Sequence, residues 1–252
     1  MSARGDCNGD AILLSGGTGR VGAATLTALV REGAQVMVIS RDRKRALATI
    51  DAVLSPQART RAHAIEADLA NPDDAECAVS ETVKRFGRID ALVNLAGSGF
   101  GHVTFAESSL DNLRIDLDAY VATAYTIASA AVHSMLTQAY REGARSRGRI
   151  VTVTAGSSKD PGPGRALFGA AKAAVNTLML GIARDHKADG IVANALVLGG
   201  VAFAGAEAFY SPEEFAAAAA PEEVAEVLTF LASERATGIN GALVDLNARE
   251  TD

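Results

Sequence analysis

The sequence alternates between short apolar runs and longer segments with helical periodicity, and this alternation constrains the fold more than any other feature. The apolar runs are Ala11–Leu14, Gln35–Ile39, Ala62–Ile65, Ile89–Leu95, Arg149–Thr154, Ile191–Val197 and Ala242–Leu246. The helical segments are Val21–Glu32, Arg43–Leu54, Pro72–Phe86, Ser108–Arg141, Ala166–His186 and Pro221–Ser233. Strands separated by helices of this length need right-handed crossovers. The pattern therefore predicts a doubly wound α/β fold, a seven-stranded parallel sheet with helices on both faces.

Composition and punctuation predict one globular domain over residues 1–252, with residues 1–10 as a flexible, polar tail. Hydrophobic residues make up 48% of the chain, which excludes a disordered protein. The net charge is −6, from 24 Lys+Arg and 30 Asp+Glu, so we expect neither a nucleic acid nor a membrane as partner. Cys7 and Cys77 fit no metal-binding pattern, and no metal site is expected. The absence of a long apolar run or leader predicts a cytoplasmic protein.

A glycine-rich loop joins the first strand to the first helix. It reads Ser15-Gly16-Gly17-Thr18-Gly19-Arg20-Val21-Gly22. Glycines at such a junction allow a tight turn and let the backbone approach a pyrophosphate, which the N-terminus of the helix then faces. A G-x-x-G-x-x-G spacing is weak evidence alone and strong evidence in this position. We therefore expect a dinucleotide cofactor bound by Ser15, Gly16, Thr18, Gly19, Arg20, Val21 and Gly22.

The end of the second strand indicates which dinucleotide is bound. A carboxylate at this point binds the ribose hydroxyls of NAD. Here Ser40 takes the place of the carboxylate and Arg41 follows it, which suits the additional phosphate of NADP. Arg20, in the glycine loop, adds a second positive charge. We expect NADP(H) in preference to NAD(H), the alternative being that Arg41 and Arg43 are solvated residues at a helix start.

Read together, these motifs resemble the short-chain dehydrogenase/reductase (SDR) family over essentially the whole chain, which implies a Rossmann fold. The loop is similar to the family's T-G-x-x-x-G-x-G, with Arg20 in place of the middle glycine. Asn94-Leu95-Ala96-Gly97 is similar to N-N-A-G, and Leu198-Gly199-Gly200-Val201 is similar to P-G-x-V. The resemblance implies further cofactor contacts from Asp68, Leu69, Asn94, Ala96, Gly97, Gly199 and Val201.

The active-site positions depart from the family pattern. The family places a Tyr and a Lys one helical turn apart, and these positions hold Phe168 and Lys172. The Ser that polarises the substrate carbonyl falls on Ala155, with Ser157 just beyond it. The Asn of the long helix aligns with Asp118. The resemblance implies that Lys172 also holds the nicotinamide ribose and that Ser157 and Asp118 are candidate catalytic residues.

Carbonyl reduction by hydride needs a proton for the developing alkoxide, and Phe168 has none to give. Losing a positioned acid typically costs about 10²–10⁴ in rate. Our first hypothesis is an NADP(H)-dependent oxidoreductase with another proton donor, and the candidates are His102, Tyr120 and Tyr125. Its substrate would be a small, mainly apolar carbonyl compound or activated alkene, because residues 201–221 predict a short apolar substrate lid.

Two other hypotheses remain open at this point. The protein could catalyse a non-redox reaction such as elimination, cyclisation or aldol cleavage, with Lys172 and Asp118 as an acid–base pair. Alternatively, the chain is a catalytically silent subunit beside an active SDR partner. The resemblance implies homodimers or homotetramers formed through residues 108–141 and 166–186, and self-association and hetero-association are equally compatible with the sequence.

Overall fold

The computed structural model describes residues 5–97, 101, 103–203, 205, 215 and 218–246. Seven strands form one parallel sheet in the order β3-β2-β1-β4-β5-β6-β7, which confirms the predicted doubly wound fold. The strands are β1 Ala11–Ser15, β2 Gln35–Ser40, β3 Ala62–Glu66, β4 Ala91–Asn94, β5 Gly148–Ala155, β6 Ile191–Leu198 and β7 Leu243–Leu246. The strand order reverses between β1 and β4, and in open sheets of this kind ligands bind at the carboxyl ends of the strands beside such a reversal.

Helices cover both faces of the sheet. They are α1 Arg20–Arg31, α2 Arg43–Val53, α3 Pro56–Arg59, α4 Pro72–Phe86, α5 Leu110–Asp116, α6 Thr123–Thr137, α7 Ala166–Asp185 and α8 Pro221–Ala232. One hydrophobic core lies between the sheet and α1, α2 and α8, and a second lies between the sheet and α4, α6 and α7. Helix α7 has the length and hydropathy of a membrane span, but it packs against β5 and β6.

The long helix expected over Ser108–Arg141 is interrupted, which corrects that prediction. Between α5 and α6 the chain forms a π-helical segment, Leu117–Ala122. The helix also ends early, at Thr137, because Gln138 is extended at φ −89° and ψ 149°. The Gln138 side chain donates to the carbonyl oxygens of Ile89 and Arg147, both at 2.7 Å, and these long-range bonds stop the helix.

The polar N-terminal segment is not a flexible tail over its described half. Cys7 is fully buried and its backbone N–H donates to the carbonyl oxygen of Glu32 at 3.3 Å. Asp10 is 5% exposed and pairs with the guanidinium of Arg149 at 2.7 Å. A polar composition predicted exposure, whereas a buried ion pair holds this segment against the sheet.

Candidate functional site

The glycine loop forms a backbone cradle at the N-terminus of α1. Gly16 adopts a left-handed φ of +69°, which favours glycine. A Cβ added at Gly22 would lie 2.1 Å from the carbonyl oxygen of Gly16, so the first turn of α1 packs directly on the loop. Gly19 is the N-cap of α1 and makes no side-chain cap, so it leaves the N–H groups of the first turn available to an anion. The cradle fits the pyrophosphate of a dinucleotide.

The predicted cofactor residues at the ends of β1 and β4 are brought together by hydrogen bonds. Ser15 and Asn94 are paired in register, and the Ser15 hydroxyl donates to the Asn94 side-chain oxygen. The backbone N–H of Ala96 donates to both side chains, at 3.3 and 3.2 Å. Both side chains are buried, so this network fixes the loop that leads to Gly97 beside the glycine cradle.

The end of β2 presents a serine and an arginine, as expected. The hydroxyl of Ser40 accepts a hydrogen bond from the backbone of Asp42 at 3.1 Å, and Arg41 is exposed. The Asp42 carboxylate is the N-cap of α2 and accepts from two backbone N–H groups of that helix, at 2.8 and 3.1 Å. The Asp42 carboxylate is therefore committed to capping. The Glu66 carboxylate, on the residue paired in register with Ser40, accepts from the backbone N–H of Arg43 at 3.3 Å.

The remaining expected cofactor residues lie after β3 and β6. Asp68 is exposed and its carboxylate accepts from a following backbone N–H at 3.1 Å, whereas Leu69 is 5% exposed. Gly199 donates its N–H to the last residue of β7 at 3.2 Å, and Val201 forms a parallel bridge with Ala219. All four therefore lie at or beyond the carboxyl ends of their strands.

Lys172 is a buried cation. It is 9% exposed, and its Nζ donates to the carbonyl oxygen of Val153 at 3.2 Å. Its Nζ also lies 4.5 Å from the ring centroid of Tyr120 and 5.8 Å from that of Phe168. Among the described residues, no carboxylate lies within ion-pair distance of this ammonium. Burial lowers the pKa of Lys172 from 10.5 to about 8.

The side chains around Lys172 form a small apolar cluster. Tyr120 and Phe168 pack edge to face with ring centroids 5.2 Å apart, and Ala171 is fully buried beside them. Ala155, at the end of β5, packs against the same group. At the two positions where the resemblance leads us to expect a Ser and a Tyr, this chain therefore presents a methyl group and a phenyl ring.

Of the other candidate catalytic residues, Ser157 packs on α7, since a Cβ added at Gly169 would lie 2.4 Å from the carbonyl oxygen of Ser157. Asp118 is exposed, and no ion pair joins it to Lys172. Ser157 is 7% exposed, in a short 3₁₀ turn after β5. Tyr125 is 59% exposed and lines a groove between α6 and α7. His102 lies outside the described residues, as does most of the expected lid (204, 206–214 and 216–217).

A contact that the sequence did not predict joins the glycine loop to the segment after β6. The guanidinium of Arg20 stacks on the ring of Phe203, 3.9 Å from its centroid. Arg20 is thus placed at the mouth of the cradle, beside the half-buried Val21 and Thr18 of the same loop. The sequence shows an arginine in the glycine loop and an apolar segment after β6, but neither feature predicts that the two are in contact.

The glycine cradle yields a matched test of its packing. We expect Gly22→Ala to lower the free energy of unfolding by about 1–3 kcal/mol, because the new methyl group overlaps backbone atoms. Gly19→Ala is the control, since a Cβ there lies 3.5 Å from its nearest neighbour and φ is −79°. Its effect should stay within about 0.5 kcal/mol. Urea unfolding measures both, and equal stabilities for the two variants would contradict the cradle geometry.

Comparison with known proteins identifies the family. The family described as short chain dehydrogenase matches residues 10–213. Meso-2,3-butanediol dehydrogenase of Serratia marcescens is 30% identical over 95% of this chain and 94% of its own. A double mutant of a Serratia marcescens short-chain dehydrogenase/reductase superposes with a TM-score of 0.83, at 28% identity, covering 96% of this chain and 97% of its own. A short chain dehydrogenase from Burkholderia cenocepacia in complex with NADP gives 0.81, at 27% identity, with the same coverage. The chain therefore belongs to the short-chain dehydrogenase/reductase family of oxidoreductases.

Proposed function

We propose that the protein is an NADP(H)-dependent oxidoreductase acting on a small, mainly apolar carbonyl compound or activated alkene. The observation that carries the proposal is the glycine cradle at the N-terminus of α1, which lies with Lys172 at the carboxyl edge of one sheet. When bound, the nicotinamide would supply or accept a hydride. The cradle would hold its pyrophosphate, and Lys172 would hold its ribose and present a positive charge to the reacting oxygen.

The preference for NADP(H) rests on the end of β2. Arg41 is exposed there, and the two neighbouring carboxylates, Asp42 and Glu66, both accept hydrogen bonds from backbone N–H groups of α2. An NADP 2′-phosphate beside Ser40 and Arg41 would meet a hydroxyl and a guanidinium instead of a carboxylate. The NADP complex of the Burkholderia relative is consistent with the same choice in this chain.

Calorimetric titration with NADPH and with NADH tests the cofactor. We expect NADPH to bind more tightly, and Arg41→Ala to weaken NADPH binding about 10- to 100-fold, the loss of one charge-assisted contact, with little effect on NADH. Arg45→Ala removes the same charge from an exposed position in α2 and is the control. Equal affinities of the wild type for both cofactors would overturn the NADP preference. Binding of neither would overturn the proposed function and favour the silent-subunit hypothesis.

The substrate class follows from the apolar cluster. The side chains of Ala155 and Phe168, which pack in the cluster beside Lys172, carry no hydrogen-bonding group. An activated alkene asks less of a proton donor than a ketone does, and both classes remain within the proposal. The non-redox hypothesis loses its acid–base pair, because Asp118 is exposed and makes no ion pair with Lys172.

We also propose that the chain is a single cytoplasmic domain that forms a homodimer or homotetramer through α5, α6 and α7. Two exposed apolar side chains of α5, Leu110 and Ile115, are each 61% exposed. Between α6 and α7 lies a groove of about 340 Å³ lined by apolar side chains that include Val132 and Ile182. Close helix packing against a second copy would cover both features.

A further inference from the structure

Two positions at which the resemblance to the family leads us to expect a tyrosine and a serine hold Phe168 and Ala155. Both belong to the cluster that contains Tyr120. Tyr120 comes from the π-helical segment, and its ring packs edge to face against that of Phe168. The cluster therefore has no phenol from α7 and one from the π-helical segment.

Tyr120 lies in the π-helical segment and is buried. The i→i+5 hydrogen bonds of the segment insert an extra residue per turn, and such segments recur at functional sites. Within it Tyr120 is 3% exposed, whereas Asp118 is exposed to solvent. The segment packs against α7, so the side chain that reaches Lys172 from this helix is Tyr120 and not Asp118.

The ring of Tyr120 spans the space between Lys172 and the cofactor edge of the sheet. The Lys172 Nζ lies 4.5 Å from the ring centroid. On the other side, a Cβ added at Gly97 would lie 2.7 Å from Cε1 and 3.9 Å from Cζ, the carbon that bears the hydroxyl. Gly97 belongs to the loop fixed by Ser15 and Asn94. The ring of Tyr120 is thus held between the buried ammonium and the loop after β4.

We propose that Tyr120 is the proton donor that replaces the missing tyrosine on α7, an inference that rests on the proposed carbonyl reduction. When bound, the reduced nicotinamide would supply a hydride to the carbonyl carbon and would itself be oxidised, and the π electrons of the C=O bond would move to oxygen. The O–H bond of Tyr120 breaks, and its proton forms the O–H bond of the product alcohol. The phenolate is left beside the Lys172 ammonium, which stabilises it, and a proton from solvent restores the phenol.

The kinetic test measures the rate of NADPH oxidation with three probe compounds, 2,3-butanedione, cyclohexanone and 2-cyclohexenone. It compares the wild type with variants in which a tyrosine hydroxyl is removed or moved. Tyr120→Phe should lower kcat for the ketones about 10²–10⁴-fold, with little change in KM or in NADPH affinity. Tyr140→Phe removes an exposed phenol beyond the end of α6, away from the site, and should keep the wild-type rate. The double variant Tyr120→Phe with Phe168→Tyr returns a phenol to the face of α7 and should regain most of the loss.

A second readout needs no cofactor and no turnover. The chain has 4 tyrosines, so the ¹³Cζ signal of Tyr120 in labelled protein is the one missing from Tyr120→Phe. If its hydroxyl is coupled to the ammonium, it should ionise about 1 pH unit or more lower in the wild type than in Lys172→Met. Equal titration midpoints would mean that Lys172 does not assist the phenol, and would overturn the proposal.

The experiments distinguish a failure of the Tyr120 proposal from a failure of the proposed function. A wild type that binds NADPH and turns over a ketone at the same rate as Tyr120→Phe overturns the role of Tyr120 and leaves the proposed function standing. If the wild type oxidises NADPH with none of the three probe compounds, the proposed function is overturned. The tyrosine titration then decides separately whether Tyr120 and Lys172 form a proton-sharing pair.

Discussion

Lys172→Met is expected to stabilise the protein by up to about 3 kcal/mol at pH 7 while abolishing carbonyl reduction. Lys172 is 9% exposed and has one hydrogen bond, to Val153, and two aromatic rings as neighbours, with no carboxylate in ion-pair distance among the described residues. Burial without a counter-charge lowers its pKa from 10.5 to about 8. Each unit of such a shift corresponds to about 1.4 kcal/mol between the folded and unfolded states.

The stabilisation expected for Lys172→Met should decrease as the pH rises. Below pH 8 the ammonium of Lys172 is charged in both folded and unfolded protein, and the folded state bears the full penalty. Between pH 8 and 10.5 the folded protein loses the proton first and the penalty shrinks. The advantage of Lys172→Met should therefore be largest at pH 7 and disappear near pH 10.5.

Urea unfolding at both pH values measures the difference between the variant and the wild type. Lys84→Met is the control, because the Lys84 side chain is 75% exposed and its removal should change stability by less than about 0.5 kcal/mol. A Lys172→Met variant that is less stable than the wild type at pH 7 would show that the ring and carbonyl contacts outweigh desolvation. A stabilised but inactive variant would mark Lys172 as retained for function at the expense of the fold.

The parts of the fold that depend on neighbours in sequence could be predicted from it. Helix α4 was expected at Pro72–Phe86 and has those bounds, because Asn71 caps its first turn and Gly87 ends it at a left-handed φ of 86°. The glycine loop was likewise located correctly. In both cases the signal is a local backbone requirement that only certain residue types satisfy.

The parts that depend on distant neighbours could not be predicted. The helix over Ser108–Arg141 has no proline or glycine before Gly143, so nothing local announces the π-helical segment or the early stop at Gln138. The spacing of the motif predicted Asp118 as the site residue on this helix. In the structure, Tyr120 of the π-helical segment is the residue that lies beside Lys172. The stacking of Arg20 on Phe203 also joins residues far apart in the chain, and no periodicity records such a pairing.

Arg149 is the other buried cation among the described residues, and its removal should destabilise the protein, unlike that of Lys172. Its side chain is 3% exposed, pairs with Asp10 at 2.7 Å and with Glu234, and donates to the carbonyl oxygen of Ala232 at 2.7 Å. These contacts tie the N-terminal segment and the end of α8 to β5. Arg149→Met leaves the Asp10 carboxylate buried without this partner, and we expect a loss of about 3–5 kcal/mol.

The matched control is Arg235→Met, which removes an arginine that also pairs with the N-terminal segment, through Asp6. The Arg235 side chain is 65% exposed, so its removal should cost less than about 1 kcal/mol. Burial raises the pKa of Asp10, while Arg149 opposes that rise. Without Arg149 the pKa of Asp10 rises further, so the penalty of a charged Asp10 is relieved as the pH falls. The loss of stability caused by Arg149→Met should therefore be smaller at pH 5 than at pH 7. A loss that grows on acidification would contradict the assignment of Arg149 as a counter-ion of Asp10, which it shares with Arg141.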